Sequence, residues 1–457
     1  MKHPIRMRPA LWRALPTAAL GAVLLSLPAR PASAALTLEG AVAMAQRNDP
    51  WLEASSYRED ALAAQAVAAG SLPDPTVELG FANLPTDTYD FDQEAMTQFK
   101  VGIAQTFPRG DTRALSQRRL DVLAGQFPHQ RDERRARLAV DVAVTWLEAY
   151  RASRSIGLIE QDRELFEHLV DVAESNYASA LGSTRQQDLV RAQLELTQLE
   201  DRLAVLHQQL DTARARLGEW LWPGGDVGQW QGAARIGTTG QPPTLQLQHP
   251  EFFTEAGAVP RQRIARLLDG HPAMLSLERK IEAGAVEVQL ARQKYRPQWQ
   301  VNASYGYREG NPGDGPDWPD LFSIGVGFDL PLFTANRQDR EVQSAVAGTE
   351  ALRTEKMLTL RSLVAGFEAE RARLLRLDQR RRLYQGRLLR EMESQAEASL
   401  NAYTNDDGDF AEVVRSRIAE LNARIEALDI DIARLQTIAR LNYFFAGNEP
   451  GAGREPS

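Results

Sequence analysis

The chain carries the same punctuation twice, about 222 residues apart, and this internal repeat constrains its fold more than any local signal does. Asn48-Asp49-Pro50 is answered by Gly270-His271-Pro272, Pro75 by Pro297, and Gly102-x5-Pro108 by Gly325-x5-Pro331. Each copy reads as a helical segment, two short alternating strands joined by a polar loop, and then a very long helical tract. Two matching halves are expected, each passing from a strand pair into long helices.

The first 34 residues combine a basic front (Lys2, Arg6, Arg8, Arg13), an apolar stretch from Leu15 to Leu27, and Ala32-Ser33-Ala34 before Ala35. That is the layout of a secretory signal with a small-residue cleavage site, not of a membrane span. The leader holds five of the 53 basic residues and none of the 61 acidic ones, so a mature chain starting near Ala35 carries a net charge of −13. Such a balance disfavours nucleic acid as a partner, because phosphate binding needs a basic surface. Cysteine is absent, which removes disulfides, thiolate metal sites, thiol nucleophiles and an acylated N-terminal Cys anchor together. Beyond the leader no run of 18 apolar residues occurs, so any bilayer crossing falls to strands.

Residues 36–70 and 261–296 are helical in pattern and are closed by Pro73, Pro75 and Pro297. Strands are expected at about 76–84, 98–107, 298–308 and 321–331. In the first, Val77, Leu79 and Phe81 alternate with Glu78, Gly80 and Ala82; in the second, Phe99, Val101, Ile103 and Phe107 alternate with Lys100, Gly102 and Ala104. Trp299, Val301, Ala303, Tyr305 and Tyr307 then alternate with Gln300, Asn302, Ser304 and Gly306, and Phe322, Ile324, Val326, Phe328 and Leu330 with Ser323, Gly325, Gly327 and Asp329. A half-buried soluble sheet has the same period of two. Here, however, the polar faces are rich in Gly and Ser, aromatics sit near the strand ends, and each strand has the ~9–11 residues needed to cross a bilayer at a tilt. The connecting loops 85–96 and 309–320 hold Asp87, Asp90, Asp92 and Glu94, then Asp314, Asp317 and Asp320. They fit exposed loops and lack the Gly and Glu spacing of a calcium hand.

Residues 129–222 and 332–449 contain no proline and are rich in Ala, Leu, Arg, Glu and Gln, the mixture of long helices and coiled coils. Leu189, Ala192, Leu196, Leu199, Leu203, Leu206, Leu210, Ala213 and Leu217 step by three and four, as do Ile418, Leu421, Ile425, Leu428, Ile432 and Leu435. These are heptad seams against neighbouring helices. A tract of about 70 residues, such as 334–404, extends roughly 100 Å. Each tract is interrupted once, at Leu181-Gly182-Ser183-Thr184 and at Asn405-Asp406-Asp407-Gly408-Asp409, where hairpin tips far from the strands are expected. Pro128 disturbs only the first tract, as the first residue of a restarted helix or a kink. Residues 223–260, rich in Gly, Pro, Gln and Thr, read as an irregular linker.

The six histidines are scattered with no His-x-x-x-His or His-Glu pair, so no zinc or soft-metal site is spelled out and no cofactor is expected. No convergent catalytic set points to an enzyme. Four strands cannot close a membrane barrel, and open edges are not tolerated in lipid. Several copies would have to pool their strands.

The duplicated layout, Phe107-Pro108 and Leu330-Pro331 ending the second strand of each half, Tyr177-x4-Gly182-x5-Asp188-Leu189-Val190-x-Ala192, and Tyr403-x4-Gly408-Asp409-Phe410-x-Glu412-Val413-Val414-Arg415 resemble the TolC-like outer-membrane efflux family over about 36–446. The Gly-Asp-Phe tip resembles most the branch serving heavy-metal and related resistance-nodulation-division pumps. The resemblance implies a mainly α fold with a membrane β-barrel. Behind a signal peptide (1–34) stand a first repeat (35–222, hairpin about 110–220), an equatorial linker (223–260), a second repeat (261–446, hairpin about 334–446) and a disordered tail (447–457). It further implies a homotrimer that pools 12 strands in outer-membrane lipid and continues as a periplasmic helical tunnel. The tunnel's tips would meet a periplasmic adaptor protein and, through it, an inner-membrane pump.

By position Asp188 and Glu412 match the carboxylates that gate such tunnels, and Arg415 stands where some relatives have an acidic gate residue. Adaptor docking would fall to Gly182, Ser183, Thr184, Arg185, Asp406, Asp407, Gly408 and Asp409. The same residues also have helix-capping spacing, Thr184 with Gln187 and Asp409 with Glu412, with Gly182 as a C-cap. The implied function is a passive exit duct of a tripartite efflux system carrying metal ions or small toxic compounds. A duct for type I protein secretion and a periplasmic coiled-coil scaffold without a pore are the alternatives.

Overall fold

In the computed structural model, the described residues are 36–178, 186–222, 242–253, 259–311, 316–405 and 408–447. The repeat is visible from its first punctuation mark. Helix α1 (Leu38–Asn48) gives way to α2 (Pro50–Gly70), and α6 (Arg261–Asp269) to α7 (Pro272–Gln293). Asp49 caps α2 by accepting the Trp51 N–H at 3.1 Å, and His271 caps α7 by accepting the Ala273 N–H on Nδ1 at 3.2 Å. In both, proline at the first helical position fills a site whose N–H would have no partner. A carboxylate and an imidazole thus do the same job in the two halves.

The strands β1 (Thr76–Ala82), β2 (Gln98–Phe107), β3 (Trp299–Tyr307) and β4 (Leu321–Phe328) form one antiparallel sheet in the order β1-β2-β3-β4, so the two hairpins join through β2 and β3. β1 stops two residues before the expected end because Asn83 turns at φ 57°, donating its side-chain amide to the Met96 carbonyl at 3.0 Å. β4 stops short of Pro331 because Asp329 leaves the ladder to accept the Gln298 N–H at 2.6 Å.

Below the sheet stand α3 (Thr112–Ala124), α4 (Gln126–Ala178) and α5 (Gln186–Leu221) from the first half, and α8 (Gln338–Leu383), α9 (Leu389–Thr404) and α10 (Phe410–Tyr443) from the second. Gly125 ends α3 and Pro128 lies in the first turn of α4, so the proline marks a restart. α4 alone spans about 80 Å at 1.5 Å per residue. α8 and α9 are joined without a break by one wider π turn, Tyr384–Leu388, that the sequence pattern did not announce.

The expected seams form the core. Ala192, Leu199, Leu203, Leu206, Leu210, Ala213 and Leu217 of α5 are buried in one cluster with Leu421, Ile425 and Ile432 of α10 and with Trp146, Leu147 and Ile159 of α4. In that cluster α4 packs against α5 and α10, while α10 also lies against α8 and α9. A second cluster gathers Phe367, Leu363 and Leu374 of α8, Ile438 and Leu441 of α10, Phe445, and Phe252 of the linker. The described stretch of that linker, 242–253, is therefore irregular yet anchored. Phe252 and Phe253 pack on Phe367 at ring separations of 6.1 and 5.9 Å, and Asn442 holds the Gln246 carbonyl at 2.9 Å and the Gln248 N–H at 3.0 Å.

Candidate channel-forming surface

The strand registers sort the side chains onto two unlike faces. Pairing of Val77 with Ile103, Ile103 with Ala303 and Ala303 with Ile324 makes one row; Leu79, Val101, Tyr305 and Phe322 make the next; Phe107, Trp299 and Phe328 a third. The opposite face carries Glu78-Gly102-Ser304-Ser323, Ala104-Asn302-Gly325 and Thr106-Gln300-Gly327. Successive side chains of a strand point to opposite faces, so the period of two in the sequence becomes one face that is apolar apart from Gln105, in the row with Val301 and Val326, and one mostly small or polar face.

Among the described residues nothing covers the apolar face. Val77, Leu79, Phe81, Val101, Ile103, Phe322, Ile324, Val326 and Phe328 are all exposed, Phe322 at 71% and Ile324 at 70%. Leaving water is worth about 1.5–3 kcal/mol for each such side chain, so nine of them match or outweigh the roughly 5–15 kcal/mol that stabilises an ordinary domain. This face needs an apolar surrounding. Aromatics bound it at both ends. Phe107, Trp299 and Phe328 lie next to the helices, with the Trp299 and Phe328 rings 4.8 Å apart. Phe81, Phe99, Phe91 and Tyr307 lie next to the loops, with Phe91 stacked on Tyr307 at 6.2 Å. Two girdles about an apolar band are what a bilayer selects. No described helix is long and apolar enough to cross a membrane. The sheet is not closed: β1 and β4 each pair along one edge only.

Just below the sheet a charged clasp locks the halves together. Arg109, directly after Pro108, donates from Nη1 to the carbonyls of Lys294 and Arg296, both at 3.0 Å, and pairs with Asp329. Asp111 pairs with Arg296 at 3.1 Å, and Arg119 of α3 with Glu287 of α7 at 3.0 Å. Gly110, at φ 44°, lets its backbone approach Arg296 so closely that an added Cβ would meet the Arg296 side chain at 2.5 Å. The sequence reading aligned Pro108 with Pro331 but did not single out these residues. Their signal was Arg-Gly-Asp in one copy against Leu-Phe-Thr in the other.

At the far ends of the hairpins, Gly182, Ser183, Thr184, Arg185, Asp406 and Asp407 lie outside the described residues. Asp188 falls within α5, with its side chain outside the description. The described tip residues are close together. Asp409 caps α10 by accepting the Ala411 N–H at 3.2 Å, and Phe410 is buried against Tyr403 at 5.6 Å. The expected capping box is half made, because Glu412 turns away from the cap and pairs with Arg415. Gly408 is tightly enclosed: an added Cβ would lie 2.5 Å from Tyr403 N and 2.8 Å from the Ala402 carbonyl carbon. Among the described residues no group of three or more His, Asp or Glu converges as a metal site.

The chain superposes on solved channel structures over about nine-tenths of its length. VceC, an outer-membrane protein of Vibrio cholerae, matches with a TM-score of 0.70 at 16% identity over 90% of this chain and 97% of that one. The outer-membrane channel CmeC of Campylobacter jejuni matches with 0.70 at 14% identity over 90% and 85%, and the channel-forming protein CusC with 0.69 at 14% over 90% and 92%. The fold is that of the outer-membrane channels. No protein-family model and no curated protein matches the sequence, so the likeness is one of architecture.

Proposed function

We propose that the protein is a passive duct of the outer membrane with a periplasmic extension. Three copies pool their strands into a 12-strand barrel, the Gly- and Ser-rich face lines the passage, and the helices extend it toward the cell interior. The observation that carries this reading is a sheet with one bare apolar face, one small polar face and two unpaired edges. Closure by further copies satisfies the edges, and lipid satisfies the face. A pore-free periplasmic scaffold would need Val77, Leu79, Phe322 and Ile324 to pack internally, and they are exposed.

In this reading the duct has no catalytic step and completes a tripartite efflux system. Its tips meet a periplasmic adaptor, and through it an inner-membrane pump of the resistance-nodulation-division type. Metal ions or small toxic compounds are the proposed cargo, with a secreted polypeptide as the alternative. Gly182, Ser183, Thr184, Arg185 and Asp406 to Asp409 are the proposed docking tips, and Asp188, Glu412 and Arg415 the proposed gate. The Glu412–Arg415 ion pair makes that gate part acidic and part neutralised. The test is the mass of the detergent-extracted protein after separation of inner membrane, outer membrane and periplasm. A trimer in the outer-membrane fraction is the expected result; a soluble monomer or dimer in the periplasm overturns the duct.

A further inference from the structure

The repeat that builds the chain also says what the seam between two copies is made of. Aligning Pro108 with Pro331 sets Arg109, Gly110 and Asp111 against Leu332, Phe333 and Thr334; aligning Pro75 with Pro297 sets Leu72, Pro73 and Asp74 against Lys294, Tyr295 and Arg296. Within the chain the first segment of the first half grips the second corner of the second half: Arg109 on the Lys294 and Arg296 carbonyls, Asp111 on the Arg296 guanidinium. Among the described residues the side chains of the counterpart segment of the second half make no such grip. Leu332 is 71% exposed and Phe333 91%. Its counterpart corner, which leads from α2 into the edge strand β1, exposes Leu72 at 44% with Pro73 and Pro75 beside it, and only the Pro73 carbonyl is taken there, by Gln105 Nε2 at 2.9 Å among the contacts of the described residues.

We propose that Leu332 and Phe333 seat on the Leu72–Pro75 corner of a second copy, so that an apolar clasp joins copies at the place where a charged clasp joins halves. This rests on the reading that copies share a barrel, and adds which residues hold the seam. The argument is continuity of an interface already present in the molecule. The sheet order places the β2–β3 junction above the charged clasp. The same order, carried on by one strand pair, places β4 beside β1 of the next copy above the apolar one. Chemistry matches on each side: a charged segment meets a charged corner, and the apolar Leu332 and Phe333 meet a corner that exposes Leu72, Pro73 and Pro75 and whose one charged residue is Asp74. A segment of one kind set on a corner of the other kind would bury an unpaired charge against Leu and Pro, which is disfavoured. Segments and corners of unlike kind therefore do not exchange partners, and neither half closes on itself. Because β1 and β4 lie at opposite edges of the sheet, the matching corner for Leu332 and Phe333 is that of the next copy.

The chain has no cysteine, so the test is clean. In outer membranes of cells making the full chain, the double variant Phe333→Cys, Leu72→Cys treated with a short bismaleimide is expected to run as covalent dimers and trimers on denaturing gels, and neither single variant is. A double variant that extracts as a trimer yet stays uncrosslinked, while Phe333→Cys reacts with a lipid-soluble maleimide, overturns the clasp and places Phe333 in lipid with the shared barrel intact. Extraction as a monomer overturns the duct itself. A second pair of variants keeps the idea testable if cross-linking geometry is poor. Phe333→Asp is expected to raise the dissociated fraction in detergent at least tenfold with helical content unchanged. Adding Leu72→Lys, which sets an opposite charge across the proposed seam as Arg296 does for Asp111 in the internal one, is expected to restore the trimer. Absence of rescue overturns the proposal.

Discussion

Lowering the pH should weaken the joint between α7 and α10, and the cause is a single imidazole. His271 is fully buried; Nδ1 accepts the Ala273 N–H, so Nε2 carries the proton and donates to the Tyr443 carbonyl at 3.1 Å. Protonation would set an N–H against an N–H at the cap. Burial holds the ring's pKa below the ordinary histidine value, opposed by the Tyr443 carbonyl and Glu133 and assisted by Arg137. A basic group with a lowered folded pKa stabilises the fold fully above its unfolded pKa of about 6.5, and that contribution drains away as the pH falls toward the folded value. Every unit between the two pKa values is worth about 1.4 kcal/mol. The cap itself is worth ~1 kcal/mol, and the Tyr443 carbonyl left without its donor costs about 1–3 kcal/mol. His271→Asn, which keeps a cap of the kind Asp49 provides but does not titrate, is expected to lose about 1–3 kcal/mol at pH 7.5. The assay is the denaturation midpoint of the purified protein in detergent, followed by helical circular dichroism, at pH 7.5 and 5.5. The wild type should lose stability on acidification and the gap to the variant should narrow. A gap unchanged between the two pH values would refute the reasoning.

Three further outcomes follow from the geometry. Ile324→Lys, on the bare face, is expected to cost about 2–4 kcal/mol at mid-bilayer depth and to deplete the outer-membrane fraction, whereas Asn302→Lys on the opposite face should insert normally and change single-channel conductance. Gly408→Leu is expected to abolish resistance while leaving the trimer in the membrane, because its side chain would have to displace the Tyr403 and Ala402 backbone; normal resistance in that variant would count against tip docking. Glu412→Gln breaks an exposed ion pair worth at most ~1 kcal/mol, so thermal stability should hold within a few degrees while the closed-state conductance shifts; identical conductance would remove Glu412 from the gate.

The repeat, the four strands and the heptad seams were legible because each is a local pattern with a period. Alternation in 98–107 became β2 with the same bounds, and the seam positions from Leu199 to Leu217 became the buried stripe of α5. What could not be read was decided by distant partners. His271 was visible as punctuation, but its bond to Tyr443 spans 172 positions. Phe252 and Phe253 sat in a segment without a period and proved to be anchors, because Phe367 and Phe445 wait for them on α8 and beyond α10. At the tip the spacing of Asp409 and Glu412 announced a capping box, and only its first half formed, since Arg415 one turn on offers Glu412 a charged partner.

The π turn at Tyr384–Leu388 acts as a phase shifter in the second hairpin. Above it the side chains buried in the bundle are Leu363, Phe367, Leu374 and Leu377, a three-four stepping that would continue to residues 381, 384, 388, 391, 395 and 398. Below it the buried residue is Ala396, with Leu389 and Met392 half-buried on the same stepping, one position late. One residue turns an α-helix by about 100°, enough to swing a seam from its neighbour to open water. The wider turn absorbs that residue locally, so α8 and α9 present a single continuous stripe to α10 from Leu363 to the tip. The cost of the surplus residue is confined to five positions, and the roughly 100 Å rod keeps its aim at the far end.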